Sequence, residues 1–196
     1  MVSTMAGFNP FTSPRAEEIG LKIKRLKQQH PDFSRRELAE IIIEEKCRRC
    51  ALVGVITALP AIAPGVGTVI ALFGGVAADI ALLSYLLARL VLEIAALYDR
   101  DLTGPGYQKE AFWAFIIATG TGSIGSKLSR AVVAQMSKEA FTGMTERIFI
   151  SLGVRSTARV GIVRLIPLLG IFLAGGINYW VGKTIGKRAV NYYENS

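Results

Sequence analysis

The chain has 196 residues, a formal net charge of +8, 51% hydrophobic residues and a mean hydropathy of +0.39. This length suits one domain and leaves little room for two. The charged fraction of 19% is low for a soluble protein, and the basic residues flank long uncharged stretches, so the composition favours anionic lipid over nucleic acid as the partner.

The N-terminal part is predicted to form an irregular leader and a charged helix. Prolines interrupt residues 1–14. This segment lacks the basic stretch followed by an apolar stretch that would indicate a secretory signal. Residues 15–29 have the spacing of an amphipathic helix, which a His-Pro pair then ends. The chain is therefore divided into residues 1–37, this leader and helix, and residues 38–196, one helical domain.

The second predicted helix begins at a capping box and carries both cysteines. Ser34 and Glu37 stand in the S-R-R-E spacing in which each side chain caps the other's backbone. Cys47 and Cys50 form a lone C-x-x-C inside the helix, and His30 is the only histidine, so one chain cannot assemble a zinc site. The cysteines are interpreted as small apolar residues, and no metal is expected.

Residues 51–78 contain no charged side chain, which exceeds the roughly 20 apolar residues that cross a bilayer as a helix. Pro60 and Pro64 interrupt this stretch near its middle. A kinked membrane span, a re-entrant hairpin and a buried soluble hairpin all remain open. A helix over residues 68–98 is expected to follow.

The remaining chain is also predicted to be helical. Residues 110–126 are apolar and aromatic, residues 127–152 are moderately amphipathic, and a last unit over 155–193 is interrupted at Pro167. Because no segment shows a two-residue apolar–polar alternation bounded by turns, the fold is predicted to be all-α.

Two apolar stretches carry small residues at every fourth position after the same P-x-x-G-x-x-x-A spacing. Positions four apart lie on one helix face, so each helix would present a smooth ridge that another backbone can approach closely. The pattern indicates either a duplicated hairpin whose two glycine helices pack together or a coincidence in a glycine-rich chain. The predicted packing residues are Gly67, Ala71 and Gly75, and then Gly170, Ala174, Gly182 and Gly186.

A polar stripe is predicted on the helix that follows the first ridge. Arg89 and Glu93 are four residues apart and can pair directly. Asp79 lies on the same side but too far along the axis from Arg89, so it needs another partner. Ionisable groups in an apolar helix are usually paired or functional, and a structural role, as a buried network or as a stripe that faces water, is favoured here over a catalytic one. The candidate partners of Asp79 are Asn178, Arg164 and Lys183.

Residues 120–125 read GTGSIG and match the G-x-G-x-x-G turn of dinucleotide-binding folds. That fold needs a strand before Gly120 and an acid at the end of the next strand, whereas Glu146 stands in a helix-like run. A phosphate loop also fails, because Lys127 follows a serine instead of preceding one. The glycines are interpreted as a flexible joint, no cofactor is expected, and the single histidine argues against a Ser/His/Asp enzyme.

Residues 77–102, AADIALLSYLLARLVLEIAALYDRDL, resemble the hallmark helix of the EcsC family, which has the form ADxxxLxxxxxRLxxEIAxLYGxD. The C-terminal segment RLIPLLGIFLAGGINYWVGKTIGKRAVNYY resembles that family's closing unit, an IPxxG turn before a glycine-rich helix. The resemblance covers roughly residues 38–193. One departure is Asp99, where the family more often has glycine.

The resemblance implies a helical bacterial protein with no agreed chemistry. It places Asp79, Arg89, Glu93 and Tyr98 at the family's recurring polar positions. The founding member of the family is encoded beside an ABC exporter, and a related helical domain occurs in some membrane-linked bacterial GTPases. A transporter or a GTPase is therefore the kind of partner that the resemblance implies.

The leading hypothesis is a non-enzymatic, membrane-associated helical protein at the bacterial inner membrane, either integral or peripheral from the cytoplasmic side. The basic residues expected to hold anionic headgroups are Arg48, Arg49, Lys187 and Arg188. The alternatives are a soluble helical adaptor that docks a partner through its apolar surface, an oligomeric pore, and, least favoured, a nucleotide-binding enzyme.

Overall fold

The computed structural model describes residues 9–11, 15–58, 68–104, 106–120, 129–161 and 167–196, without the side chains of 57–58, 68–79, 150–161 and 167–174. Within these ranges the fold is all-α, as predicted, and contains no strand. The helices are α1 (Ala16–Gln29), α2 (Arg35–Ala58), α3 (Thr68–Leu97), α4 (Tyr107–Thr119), α5 (Arg130–Gln135), α6 (Lys138–Gly161) and α7 (Pro167–Glu194).

Helix α2 is central and packs most extensively against α7 and then against α3. Gly186 lies against Ile43 and Gly182 against Cys47, so α7 runs antiparallel to α2. A Cβ atom at Gly186 would come within 2.6 Å of Ile43 Cγ1, which explains why only glycine allows this approach.

The described ridge residues of α7, Gly182 and Gly186, therefore pack on α2, which is the helix that contains both cysteines. Cys47 and Cys50 are reduced thiols buried in this contact, and burial raises the pKa of the Cys47 thiol to about 11. Gly67 lies outside the described residues, and so do the contacts of Ala71, Gly75, Gly170 and Ala174, so the predicted packing between two duplicated hairpins stays a prediction.

The N-terminal segment belongs to the same core as the rest of the chain. Phe11 is completely buried, with ring centroids 5.7 Å from Phe112, 5.8 Å from Phe115 and 6.1 Å from Phe149. The apolar stripe of α1, Ile19, Ile23 and Leu26, is buried as its spacing predicts, and α1 packs on α3. The boundary drawn after residue 37 thus separates segments that share one core.

Capping explains where several helices begin. The Ser34 N–H donates to Glu37 Oε2 at 2.7 Å and the Glu37 N–H donates to Ser34 Oγ at 3.3 Å, which is the predicted capping box. The single helix predicted over residues 127–152 is wrong, because α5 ends at Gln135 and Ser137 accepts from the Ala140 N–H to begin α6.

The turn after α3 shows why glycine suits position 99. Asp99 adopts a φ of +59°, and the Arg100 N–H donates to the Ala95 carbonyl while the Asp99 N–H donates to the Ala96 carbonyl. This is the Schellman arrangement, in which the left-handed position is usually glycine. The aspartate side chain pairs here with Lys27 at 2.9 Å and Arg35 at 2.6 Å, contacts that glycine would lack.

Candidate functional site

A buried carboxylate, Glu93, is surrounded by three cations from three helices. Its side chain is 0% exposed. Lys22 Nζ of α1 lies 2.7 Å from Glu93 Oε2, and Lys46 Nζ of α2 lies 2.7 Å from Oε1. Arg89 Nε donates to the same Oε1 at 2.9 Å, so the pair expected from the four-residue spacing forms. A buried charge is tolerated only when it is paired and hydrogen-bonded in this way.

The cluster joins α1, α2 and α3 through a second carboxylate. Glu45 is partly exposed and accepts from Lys22 at 2.5 Å, and Arg49 Nη2 lies 2.8 Å from it. Although burial opposes it, the charges of Glu93 and Glu45 raise the pKa of Lys22. Burial dominates at Lys46, whose side chain is 1% exposed, and lowers its pKa to about 8. We interpret the cluster as a structural clamp.

The lowered pKa of Lys46 predicts a distinct dependence of stability on pH. Between the folded pKa of about 8 and the ordinary value of 10.5, the unfolded state binds more protons at Lys46 than the folded state. The Lys46 contribution to the free energy of unfolding therefore rises with pH in this window and is flat below it. Urea titrations from pH 7 to 10 should show this rise in the native chain and not in Lys46→Met. Parallel pH profiles for the two proteins would contradict it.

The other residues of the predicted stripe occupy different places. The Tyr98 hydroxyl donates to Glu194 at 2.9 Å, and burial together with this bond raises the pKa of Tyr98 to about 12. Asn178 is buried on α7. Arg164 lies outside the described residues, as does the side chain of Asp79, so the expected Asp79 pairing stays a prediction.

Sequence reasoning missed Lys22 and Lys46. Lys46 follows Ile42 and Ile43 on the apolar side of α2, beside Cys47. A lone cation within a buried helical stripe was the available signal, and it calls for a buried carboxylate partner.

The basic residues expected to flank the membrane have partners within the fold. Arg48 donates to Glu44 at 3.1 Å, Arg49 pairs with Glu45, and Lys187 lies 3.9 Å from Glu40. Arg188 donates to the Ala118 carbonyl at 3.2 Å and lies against Gly120, which ends α4 at a φ of +66°. Arg48, Arg49 and Lys187 nevertheless remain more than half exposed and can contact headgroups from this position.

Large apolar side chains are exposed at one end of the bundle. They are Leu52 (58%) and Ile56 (60%) on α2, Leu82 (50%) on α3 and Trp180 (62%) on α7. Lys46 of α2 and Glu93 of α3 are in contact, and the two helices are antiparallel. Ile56 lies about ten residues after Lys46 and Leu82 about eleven residues before Glu93, so each lies about 15 Å from this contact, towards the α2–α3 connection. Trp180 lies near the level of Leu52, since Gly182 contacts Cys47 and Gly175 contacts Val55. We call these four residues the apolar end.

The opposite end of the bundle is charged. Asp99 pairs with Lys27 and Arg35 there, and Glu194 with Arg36 at 3.0 Å. The ion pairs of Asp99 and Glu194 therefore lie at one end of the long axis and the apolar end lies at the other. Other large apolar side chains are exposed outside the apolar end, namely Leu21, Phe33, Ile117 and Val132.

One stretch among the described residues, Ile80–Leu97, is long and apolar enough to cross a membrane, and 72% of it is buried inside the bundle. Glu93 and its three cations lie within or against this stretch. In this fold the stretch serves as the core helix of the bundle. Residues 110–126 are predicted to be helical, and in the described part of this stretch α4 (Tyr107–Thr119) lies where a dinucleotide-binding fold would need a strand.

Compared with models of protein families, with curated proteins and with solved structures, the chain matches none of them.

Proposed function

We propose that this chain is a non-enzymatic, membrane-associated helical protein that enters the lipid interface with its apolar end. The exposed cluster of Leu52, Ile56, Leu82 and Trp180 at a single end of the bundle carries the proposal. A large exposed apolar patch marks a partner or a membrane, and tryptophan is favoured where apolar and aqueous surroundings meet.

Charge supports lipid as the occupant of this end. Arg48 and Arg49 lie one turn before Leu52 on α2, and Lys183 lies one turn after Trp180 on α7. Each such base contributes about 1 kcal/mol of attraction to an anionic surface. The uncharged residues 51–78 continue from the same end of α2, which adds apolar length without any charged side chain to desolvate.

In this arrangement the protein would be a peripheral membrane protein. Its apolar end would bind a bacterial inner membrane from the cytoplasmic side. The resemblance of residues 77–102 to the EcsC hallmark helix supports this placement and a role as accessory to a transporter. The duplicated-hairpin interpretation fits it as well, because the start of each small-residue ridge, in α3 and in α7, would lie toward the apolar end.

Flotation with liposomes tests the proposal. The purified chain is expected to float with vesicles that contain anionic phosphatidylglycerol. Ile56→Glu and Leu52→Glu are each expected to weaken partitioning about tenfold or more, because each removes an apolar side chain worth about 1.5–3 kcal/mol and adds a charge.

Phe33→Glu is the matched control, since Phe33 is also an exposed apolar residue but lies in the turn before α2, at the charged end. It should leave partitioning unchanged. Equal losses for Phe33→Glu and Ile56→Glu would contradict an oriented apolar end. A chain that stays soluble without lipid and does not float with the phosphatidylglycerol vesicles would favour the soluble adaptor instead.

A further inference from the structure

A cavity of about 720 Å³ lies at the charged end, between the α3–α4 turn, the first turn of α4 and α5. Its volume falls within the range of small-molecule sites. The membrane-binding proposal does not use it, because the apolar end lies at the opposite end of the bundle.

The charges that line the cavity leave one positive charge in excess. Arg100, Lys109 and Arg130 face two acids, Asp101 and Glu110, while the remaining lining acid, Asp99, is neutralised by the pairs already described. Two of these groups are engaged elsewhere, and the Arg100 guanidinium is engaged in part, because its Nη2 donates to Ser196 Oγ at 2.6 Å. The Lys109 ammonium donates to the carbonyls of Ala134 and Met136, and Asp101 accepts from both the backbone and the hydroxyl of Thr103.

Three charged groups remain for a ligand, and their geometry is open. Arg130 Nη2 lies 3.6 Å from Glu110 Oε1 and Arg100 Nε lies 4.0 Å from the same oxygen. Both distances exceed a hydrogen bond. Glu110 Oε1 is buried and accepts no hydrogen bond from any described residue, which is a costly state for a carboxylate oxygen.

The start of α4 adds to the attraction for an anion. Gly106, at a φ of +96°, precedes the helix and offers no side-chain cap, and its carbonyl accepts from the N–H groups of Lys109 and Glu110. Such a helix start carries a partial positive charge that stabilises anions. The ligand that satisfies all of these groups is an oxyanion that also brings a hydrogen-bond donor of its own.

We propose that this cavity binds a protonated phosphate group, either inorganic phosphate or a phosphomonoester. The P–OH group donates to the Glu110 carboxylate, whose side chain is 27% exposed, and the charged oxygens accept from Arg100 and Arg130. The protonated group carries a single negative charge in a phosphomonoester and in the monoanion of inorganic phosphate, which balances the excess positive charge; the dianion of inorganic phosphate carries one charge more and still keeps its P–OH group. Sulfate carries no proton near neutral pH, so its oxygens would face the Glu110 carboxylate without a hydrogen-bond donor. The cavity should therefore bind sulfate more weakly than phosphate.

Calorimetric titration of the full chain without lipid tests the site, with inorganic phosphate and sulfate as probes. Phosphate is expected to bind about tenfold or more tightly than sulfate, because one hydrogen bond to a charged group separates them. Equal affinities, or no binding of phosphate at millimolar concentration, would overturn the proposal. Liposome flotation is independent of this result, since the two sites lie at opposite ends.

Three variants assign the roles. Glu110→Gln should abolish the preference for phosphate, because the carboxamide can donate to sulfate. Arg130→Ala should weaken phosphate binding about tenfold or more. Arg147→Ala, an exposed arginine on α6, is the matched control and should bind as the native chain does. A preference that survives in Glu110→Gln, with circular dichroism showing a folded protein, would overturn the assignment.

The pH dependence of binding distinguishes inorganic phosphate from a phosphomonoester as the ligand. A phosphomonoester with a second pKa of about 6 is largely protonated at pH 5 and largely deprotonated at pH 7.5. The affinity for glycerol phosphate should therefore fall across this interval. Inorganic phosphate keeps a P–OH group at both values and should bind at both. Glycerol phosphate that binds better at pH 7.5 would contradict the proton-donating contact.

Discussion

Glu93→Gln is expected to lower the free energy of unfolding by about 3–5 kcal/mol, because it leaves Lys46 buried without its closest countercharge. Lys46 is almost completely buried, and its other acidic neighbour, Glu45, lies 3.9 Å away. The free energy is measured by urea denaturation at pH 7, where Lys46 of the native chain is protonated in both the folded and the unfolded state.

Glu40→Gln provides the control, since Glu40 pairs with Lys187 at 3.9 Å and both side chains are more than half exposed. Such a surface pair contributes between zero and about 1 kcal/mol. The double variant Glu93→Gln with Lys46→Met should recover much of the loss, because the uncompensated charge is then gone. A loss for Glu93→Gln no larger than that for Glu40→Gln would show that the cluster does not clamp the bundle.

Phe11→Ala is expected to lower the free energy of unfolding by about 3–5 kcal/mol, the usual cost of emptying a buried aromatic site. The ring of Phe11 fills a space bounded by Phe112, Phe115 and Phe149, so the surrounding helices would have to move to close the cavity. Urea denaturation of the full chain measures the effect.

The matched control is Phe33→Ala, because Phe33 is 45% exposed in the turn before α2. It should cost well below half as much, since truncating an exposed side chain removes little buried area. Similar losses for the two phenylalanines would mean that residues 9–11 do not anchor the core.

Local patterns predicted the elements that depend on neighbouring residues. The capping box at Ser34, the stripe of α1 and the Arg89–Glu93 pair are all interactions within four residues, and all three are present. The predicted start of α4, residue 110, is three residues late. The helix begins directly after Gly106, whose left-handed conformation cannot be predicted from the spacing of apolar residues.

Long-range interactions could not be predicted in the same way. The role of Phe11 depends on two helices that begin about 100 and 130 residues later in the chain, and prolines on either side made its segment look like a leader. Lys46 and Glu93 pair across α2 and α3, which requires the register of those helices. The ridge at Gly182 and Gly186 was found, but a spacing within one helix cannot identify the facing helix, which is α2.

The candidate phosphate site had almost no sequence signal. Arg100, Glu110 and Arg130 come from a turn and two different helices, and no spacing links them. The string GTGSIG matches a motif because a phosphate-binding loop is one contiguous segment of the chain. An anion site assembled from separate elements has no such motif.

The contact between α2 and α7 also constrains how the chain acquires its structure. Gly186 covers Ile43, and 143 residues separate the two along the chain. At a synthesis rate of about 5–20 residues per second, the surface of α2 that receives α7 is without its cover for roughly 7–30 s after it is made. This surface contains two reduced thiols and several isoleucines. During translation the nascent chain therefore presents an apolar helix surface that stays uncovered until α7 is made.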